Sequence, residues 1–286
     1  FMSSRSSLAS QAATSGFVLL WGSAAIFSRI GLDNASPLAL LMVRFAVALS
    51  ALLLVGLFRR RWLPDAGTSK TVLLSGLVLI GAYSLCYFQA MAEGVTPGLI
   101  ATIMGIQPIL TLCIVERRMQ GVRLVGLLLA LAGLVLLVWR SLAASQLPLS
   151  GVLFALAALL CMTFGAIMQK KVSQHPAQVL PLQYAASLVL CVLLLPLKPF
   201  HIYFTPHFWI SALFLGVMIS VVAQLLLYRL LSSGSIVNVT SLFYLVPVIT
   251  ALLDYLLLGH ALPWSGLLGM AAILLGIMLV FRAPSM

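Results

Sequence analysis

Apolar stretches of helix-spanning length alternate with short polar breaks along this chain. They mark ten segments, at 14–31, 37–58, 70–92, 98–115, 123–140, 149–170, 178–196, 207–230, 236–257 and 264–281. A hydrocarbon core about 30 Å thick takes roughly 20 residues of helix to cross, and a run with no alternation of polar and apolar positions satisfies its backbone there only as a helix. The breaks carry the residues that end helices. Asp33-Asn34-Ala35-Ser36-Pro37, Thr96-Pro97-Gly98 and Gln174-His175-Pro176 each hold a proline, which lacks an N–H and pushes the residue before it out of the helical region. Thr96 and Ser235 then read as N-caps of the fourth and ninth segments.

Composition makes the pattern a membrane pattern. Hydrophobic residues are 63% of the 286 and charged residues 7%, with a mean hydropathy of +1.18, far from the quarter-charged makeup of soluble domains. Ten spans take up about 200 residues and leave no room for a soluble domain. The Ser-rich stretch Met2–Ser15 reads as a tail before the first apolar run, which ends at Arg29 without a small-residue cleavage site and so reads as a retained helix.

The net charge of +11 does not point to nucleic acid, because the basic residues are dispersed singly and only Arg59-Arg60-Arg61 cluster. They act instead as topology signals. With the N-terminus inside, 12 Lys and Arg flank the inner ends, Arg123 among them, and 3 (Arg29, Arg140, Lys198) the outer, with Arg44 inside the second segment. The positive-inside rule therefore predicts both termini cytoplasmic. The four cysteines, Cys86, Cys113, Cys161 and Cys191, sit singly in apolar runs without metal or redox spacing.

The sequence also repeats itself. Gln107-Pro108-Ile109-Leu110-Thr111 matches Val246-Pro247-Val248-Ile249-Thr250 at a separation of 139 residues, and Gly126 and Gly133 match Gly269 and Gly276 at 143. Two five-helix halves result, 1–145 and 146–286. Five is odd, so the halves enter the bilayer from opposite sides. The fold class predicted is an all-α integral membrane protein of ten transmembrane helices in two inverted repeats, an architecture in which transporters place their site at the repeat interface.

Trp21-Gly22, Arg44-Phe45, Ala82-Tyr83 with Tyr87, the mid-helix prolines Pro108 and Pro247, and Leu258-Gly259 before the last segment give the chain a resemblance to a known family. It resembles the drug/metabolite transporter superfamily and, within it, the ten-helix EamA-type exporters, and in overall likeness it is similar to bacterial amino-acid exporters of the YddG kind. The resemblance covers essentially the whole chain. It implies a bacterial inner-membrane exporter whose cavity is formed by segments 1, 3, 4, 6, 8 and 9. Two positions depart from the pattern, His260 and Gln107, where the family often carries acids, so an acidic coupling residue is not implied there.

Polar side chains inside apolar segments are the candidates for the path. Tyr83 with Tyr87, and Gln224 with Tyr228, are i,i+4 pairs that share a helical face. Trp21, Ser23, Gln107, Thr111, Thr163, Gln169, Asn238, Thr240, Ser241 and Tyr244 are further cavity candidates, with interhelical packing as the alternative role for each. Pro108 and Pro247 are candidate hinges, because each removes one helical hydrogen bond. Of the five acids, only Asp254 lies deep enough in a segment to be a coupling residue.

No catalytic residue, metal site or cofactor is expected. An intramembrane hydrolase needs a nucleophile with a histidine at depth or an H-E-x-x-H pair, whereas His175, His201, His207 and His260 all fall in breaks. A channel needs a charged ring or filter-like segment, which is not found. The expected partners are a small-molecule substrate and the lipid bilayer, with no nucleic acid, in a monomer or homodimer. Amino acids, nucleosides, drugs and other amphiphiles all fit a mostly neutral path.

Overall fold

Each segment delimited by the prolines and polar breaks is helical in the computed structural model, which describes residues 2–116, 120–144, 148–259 and 261–283. The helices are α1 (Met2–Asn34), α2 (Pro37–Arg59), α3 (Ser69–Ala92), α4 in two pieces (Pro97–Met104 and Gln107–Val115), α5 (Gly121–Leu137), α6 (Leu149–Lys170), α7 (Pro176–Leu194), α8 (Pro206–Ser233), α9 in three pieces (Ile236–Ser241, Leu242–Tyr244 and Leu245–Leu258) and α10 (Trp264–Arg282). Among the described residues, nine helices are long and apolar enough to cross a membrane, and the apolar α5 is shorter at 17 residues.

Starts follow the expected chemistry, since α2, α7, α8 and the first piece of α4 each open with proline in the first turn. The Thr96 hydroxyl caps α4 by accepting the Leu99 N–H at 3.3 Å. Ser235 holds the same position before α9 but makes no side-chain cap bond, because its hydroxyl accepts from Arg123 instead. The Ser-rich stretch expected to precede α1 is part of that helix. Helix α3 is π-wound at Leu77–Ala82 and α8 at Phe214–Ala223, a winding found mostly as short insertions at functional positions.

The chain packs as two bodies, one up to Leu77 together with Val172–Ser233, the other Val78–Lys171 together with Gly234 onward. Each draws helices from both sequence halves.

In the first body α2 lies against α7 and α8, and α1 against α8. The Phe45 ring meets Tyr184 at 5.7 Å, and Phe27 stacks on Phe214 at 3.8 Å. Arg44 donates through Nε to Ser220 Oγ at 2.7 Å, so this intramembrane cation sits on a neutral neighbour. Gln183 is fully buried and hydrogen-bonded at both ends of its amide. Its Nε2 donates to the Val72 carbonyl and to Ser75 Oγ, both at 3.1 Å, and its Oε1 accepts from the Tyr228 hydroxyl at 2.7 Å.

At the start of α7, the His175 ring accepts the Ala177 N–H at Nδ1 over 3.2 Å, and the Arg59 guanidinium faces the ring nitrogens at 3.1 and 3.2 Å. Partial burial, then Arg59 and Arg229, hold the His175 pKa below its ordinary value. A base with a depressed folded pKa binds fewer protons folded than unfolded. Stability is therefore intact above the unfolded value of about 6.5 and falls as the pH drops below it. The ring is exposed, so the effect is small. Thermal melts between about pH 7 and pH 5 should fall less steeply for His175→Asn, which keeps a capping acceptor without the titration; parallel slopes for variant and wild type would remove His175 from the pH response.

In the second body, the Tyr83–Ala92 part of α3 packs on α6, and α5 packs on α10 along its length. Gly165 of α6 lies so close to α3 that a Cβ there would come 2.7 Å from Leu79 Cβ. Cys86 and Cys161, expected to stand singly, are hydrogen-bond neighbours across α3 and α6, and both are free thiols.

Candidate functional site

Within the second body two helices are interrupted, α4 and α9. Helix α4 breaks at Gly105-Ile106, where the Ile106 N–H turns back to the Ile103 carbonyl at 3.1 Å and tightens the helix into a three-residue turn. Pro108 follows in the first turn of the second piece, with no N–H to give to the Met104 carbonyl. Helix α9 does the same thing in its own place. Leu242–Tyr244 is a 3₁₀ turn, and Pro247 follows in the piece beginning at Leu245. The two interruptions touch, because the buried Tyr244 hydroxyl donates to the Gly105 carbonyl. Both prolines thus sit just beyond a break.

Most of the small hydroxyls predicted as cavity residues bond their own helices. Thr111 donates to the Gln107 carbonyl at 2.8 Å, Thr163 to Leu159 at 2.8 Å, Thr240 to Ile236 at 2.9 Å, Ser241 to Asn238 at 2.6 Å and Ser23 to Leu20 at 2.7 Å. That back-bonding is how Ser and Thr sit in a helix surrounded by hydrocarbon. Gln107 differs. It is 1% exposed, and its amide nitrogen Nε2 is buried without a hydrogen-bond partner.

Tyr83 and Tyr87 lie on α3 with ring centres 5.7 Å apart, half-buried, and Gln169 is buried near the end of α6. The remaining candidates belong to the first body. Trp21 packs on Phe17 at 5.3 Å, Gln224 is buried, and the Tyr228 hydroxyl is held by Gln183. Asp254 falls within α9, but its side chain lies outside the described residues, as do Arg117, Arg118 and His260.

The sequence reading counted Arg123 among the topology charges at the inner helix ends, and the structure shows that it is buried. Arg123 is 0% exposed and forms an ion pair with Glu116, which terminates α4. Its second guanidinium nitrogen donates to Asn238 Oδ1 at 2.7 Å and Ser235 Oγ at 3.1 Å. Asn238, read as a cavity residue, is therefore a ligand of Arg123. Beside it the Lys170 ammonium donates to the Gly234 carbonyl. The ends of α4, α5, α6 and α9 are tied together by charge. An acid and a base seven positions apart, either side of the break between α4 and α5, was the only signal in the sequence, since Ser235 and Asn238 arrive from 112 and 115 residues away.

The EamA-like transporter family matches this chain twice, over residues 12–139 and 149–282. The chain belongs to that family. It is 30% identical over 189 residues to a probable amino-acid metabolite efflux pump of Salmonella typhimurium, a match covering 64% of this chain and 59% of that protein. The Escherichia coli K12 protein of the same description is 28% identical over 190 residues, covering 65% and 60%. This chain thus matches about three fifths of the length of these relatives. An uncharacterized transporter of Archaeoglobus fulgidus is 27% identical over 254 residues, covering 85% of this chain and 87% of its own. A solved crystal structure at 21% identity superposes with a TM-score of 0.81 over 95% of this chain and 98% of that one, a likeness of fold. As an EamA-family member the chain is a multi-pass membrane protein, and the names of its family and relatives indicate transport rather than catalysis.

Proposed function

We propose that this chain is a secondary transporter of the bacterial inner membrane that exports amino acids or related small metabolites by alternating access. The observation that carries this reading is the pair of interrupted helices, α4 and α9, meeting at the Tyr244–Gly105 hydrogen bond. Those two residues are 139 apart, the separation at which Pro108 and Pro247 repeat in the sequence.

Several contacts support ten spans in two inverted halves. Phe45 and Tyr184 have that same separation and also touch each other, as residues on a two-fold axis between repeats would. In the α5–α10 pair, Gly126 meets Gly276 and Gly133 meets Gly269, which is one contact exchanged with its repeat counterpart. The double family match supports the same reading. Helices interrupted near mid-membrane are where inverted-repeat transporters bind substrate and move. Both termini are proposed to be cytoplasmic, on the charge count, and the partners are a small-molecule substrate and the bilayer.

The test is counterflow into proteoliposomes with a panel of amino acids, nucleosides and cationic drugs, with and without a proton gradient. Saturable exchange of amino acids is expected, and exchange of nucleosides or drugs alone would overturn the substrate class. In the same assay Pro108→Ala and Pro247→Ala should slow exchange more than they lower folded yield, because each restores a helical hydrogen bond across a break. Wild-type rates in both would make the breaks packing features. Tyr87→Ala and Gln224→Ala should each lower exchange about 2- to 13-fold, the loss expected for one neutral hydrogen bond.

A further inference from the structure

Among the described residues, two buried side-chain nitrogens have no hydrogen-bond partner, Arg123 Nε and Gln107 Nε2. The first belongs to a guanidinium already bound to Glu116, Ser235 and Asn238. The second is the entire donor end of an uncharged side chain. Gln107 sits in the first helical turn beyond the α4 break, and its own carbonyl is taken by the Thr111 hydroxyl. An amide N–H2 buried and unpaired is costly, and such groups persist where a ligand supplies the missing acceptor.

We infer that Gln107 Nε2 is the donor that receives the carboxylate of the transported substrate, and that Gln107 is a specificity-determining residue. This rests on the reading of the chain as an exporter of amino acids or related metabolites. A primary amide in a site of low dielectric binds an anionic oxygen more strongly than a neutral one, because the hydrogen bond becomes charge-assisted. It does so without carrying a charge of its own, so no ionised group stays buried when the substrate leaves. The side chain is closed off in the conformation described, and the α4 break immediately before Gln107 is the element whose opening admits a ligand.

The test compares each amino acid of the panel with its carboxamide, which keeps size and side chain but loses the anionic oxygens. Wild type, Gln107→Leu and Gln107→Glu are reconstituted at equal protein. Gln107→Leu keeps the volume without the donor and should lower amino-acid exchange about tenfold while raising the melting temperature of the empty protein, since an unsatisfied group is gone. Gln107→Glu places a carboxylate against a carboxylate, and should cut amino-acid exchange by more than the leucine variant while sparing the carboxamide. An unchanged acid-to-amide ratio in Gln107→Glu, or a lower melting temperature in Gln107→Leu, would assign Gln107 to packing and overturn the inference with the transport reading intact. Wild-type liposomes that exchange neither the acid nor the amide would instead remove the transport reading, and this inference with it.

Discussion

Glu116→Ala should remove most of the folded protein from detergent extracts. The substitution strands the Arg123 guanidinium, which is 0% exposed, with neutral acceptors only, Asn238 Oδ1 and Ser235 Oγ. Removing one partner of a buried pair costs about 3–5 kcal/mol, because the other charge cannot return to water without unpacking what covers it. That is a large fraction of the stability of a typical domain. The pair itself is a weaker source of net stability than this loss suggests, since both charges had to be desolvated to make it. Replacing both residues, as Glu116→Leu with Arg123→Met, should therefore recover much of the folded yield that Glu116→Ala loses, a non-additivity expected of groups in direct contact. Fluorescence-detected size exclusion and thermal melts of the three proteins decide it. A single variant as stable as wild type would mean that Arg123 reaches solvent, and equal damage in single and double variants would mean the packing around the pair matters more than its charge.

The second large effect is expected where α5 meets α10. A Cβ on Gly133 would lie 2.5 Å from the Gly269 carbonyl oxygen and 2.8 Å from the Ile273 nitrogen, and one on Gly126 would lie 2.7 Å from the Gly276 carbonyl oxygen. The obstacle is backbone on both sides, which cannot rotate away as a side chain can. With lipid as apolar as leucine, helix association in a bilayer depends on this closeness of approach. Gly133→Val should separate the helices, destabilise by at least the 1–3 kcal/mol of an overpacked core, and lower the melting temperature of the purified protein. Gly121→Ala provides the opposite sign in the same helix. No atom lies within 4 Å of a Cβ there, so alanine should be neutral or slightly stabilising through its better helix propensity. A Gly133→Val protein that melts with wild type would refute close packing at this seam.

The sequence by itself determined the helical segments, and the family pattern besides. Long apolar runs admit one backbone solution in hydrocarbon, and prolines at positions 37, 97 and 176 mark starts by a local rule that needs no tertiary partner. It also located both helix interruptions, since the missing N–H of Pro108 and of Pro247 is a property of the residue. What it could not decide was which polar side chains are already spent. Thr163 and Ser241 looked like path residues, yet their hydroxyls are held by carbonyls of their own helices. Asn238 and Tyr228 looked the same and are held by Arg123 and Gln183. Arg123 read only as a topology charge because burial depends on which other helix ends arrive beside it, and Ser235 makes no cap bond for the same reason. A hydrogen bond between residues far apart in the chain exists only once packing brings them together. That is why only the tertiary structure sets Gln107 apart from the other candidates, by leaving its Nε2 buried without a partner.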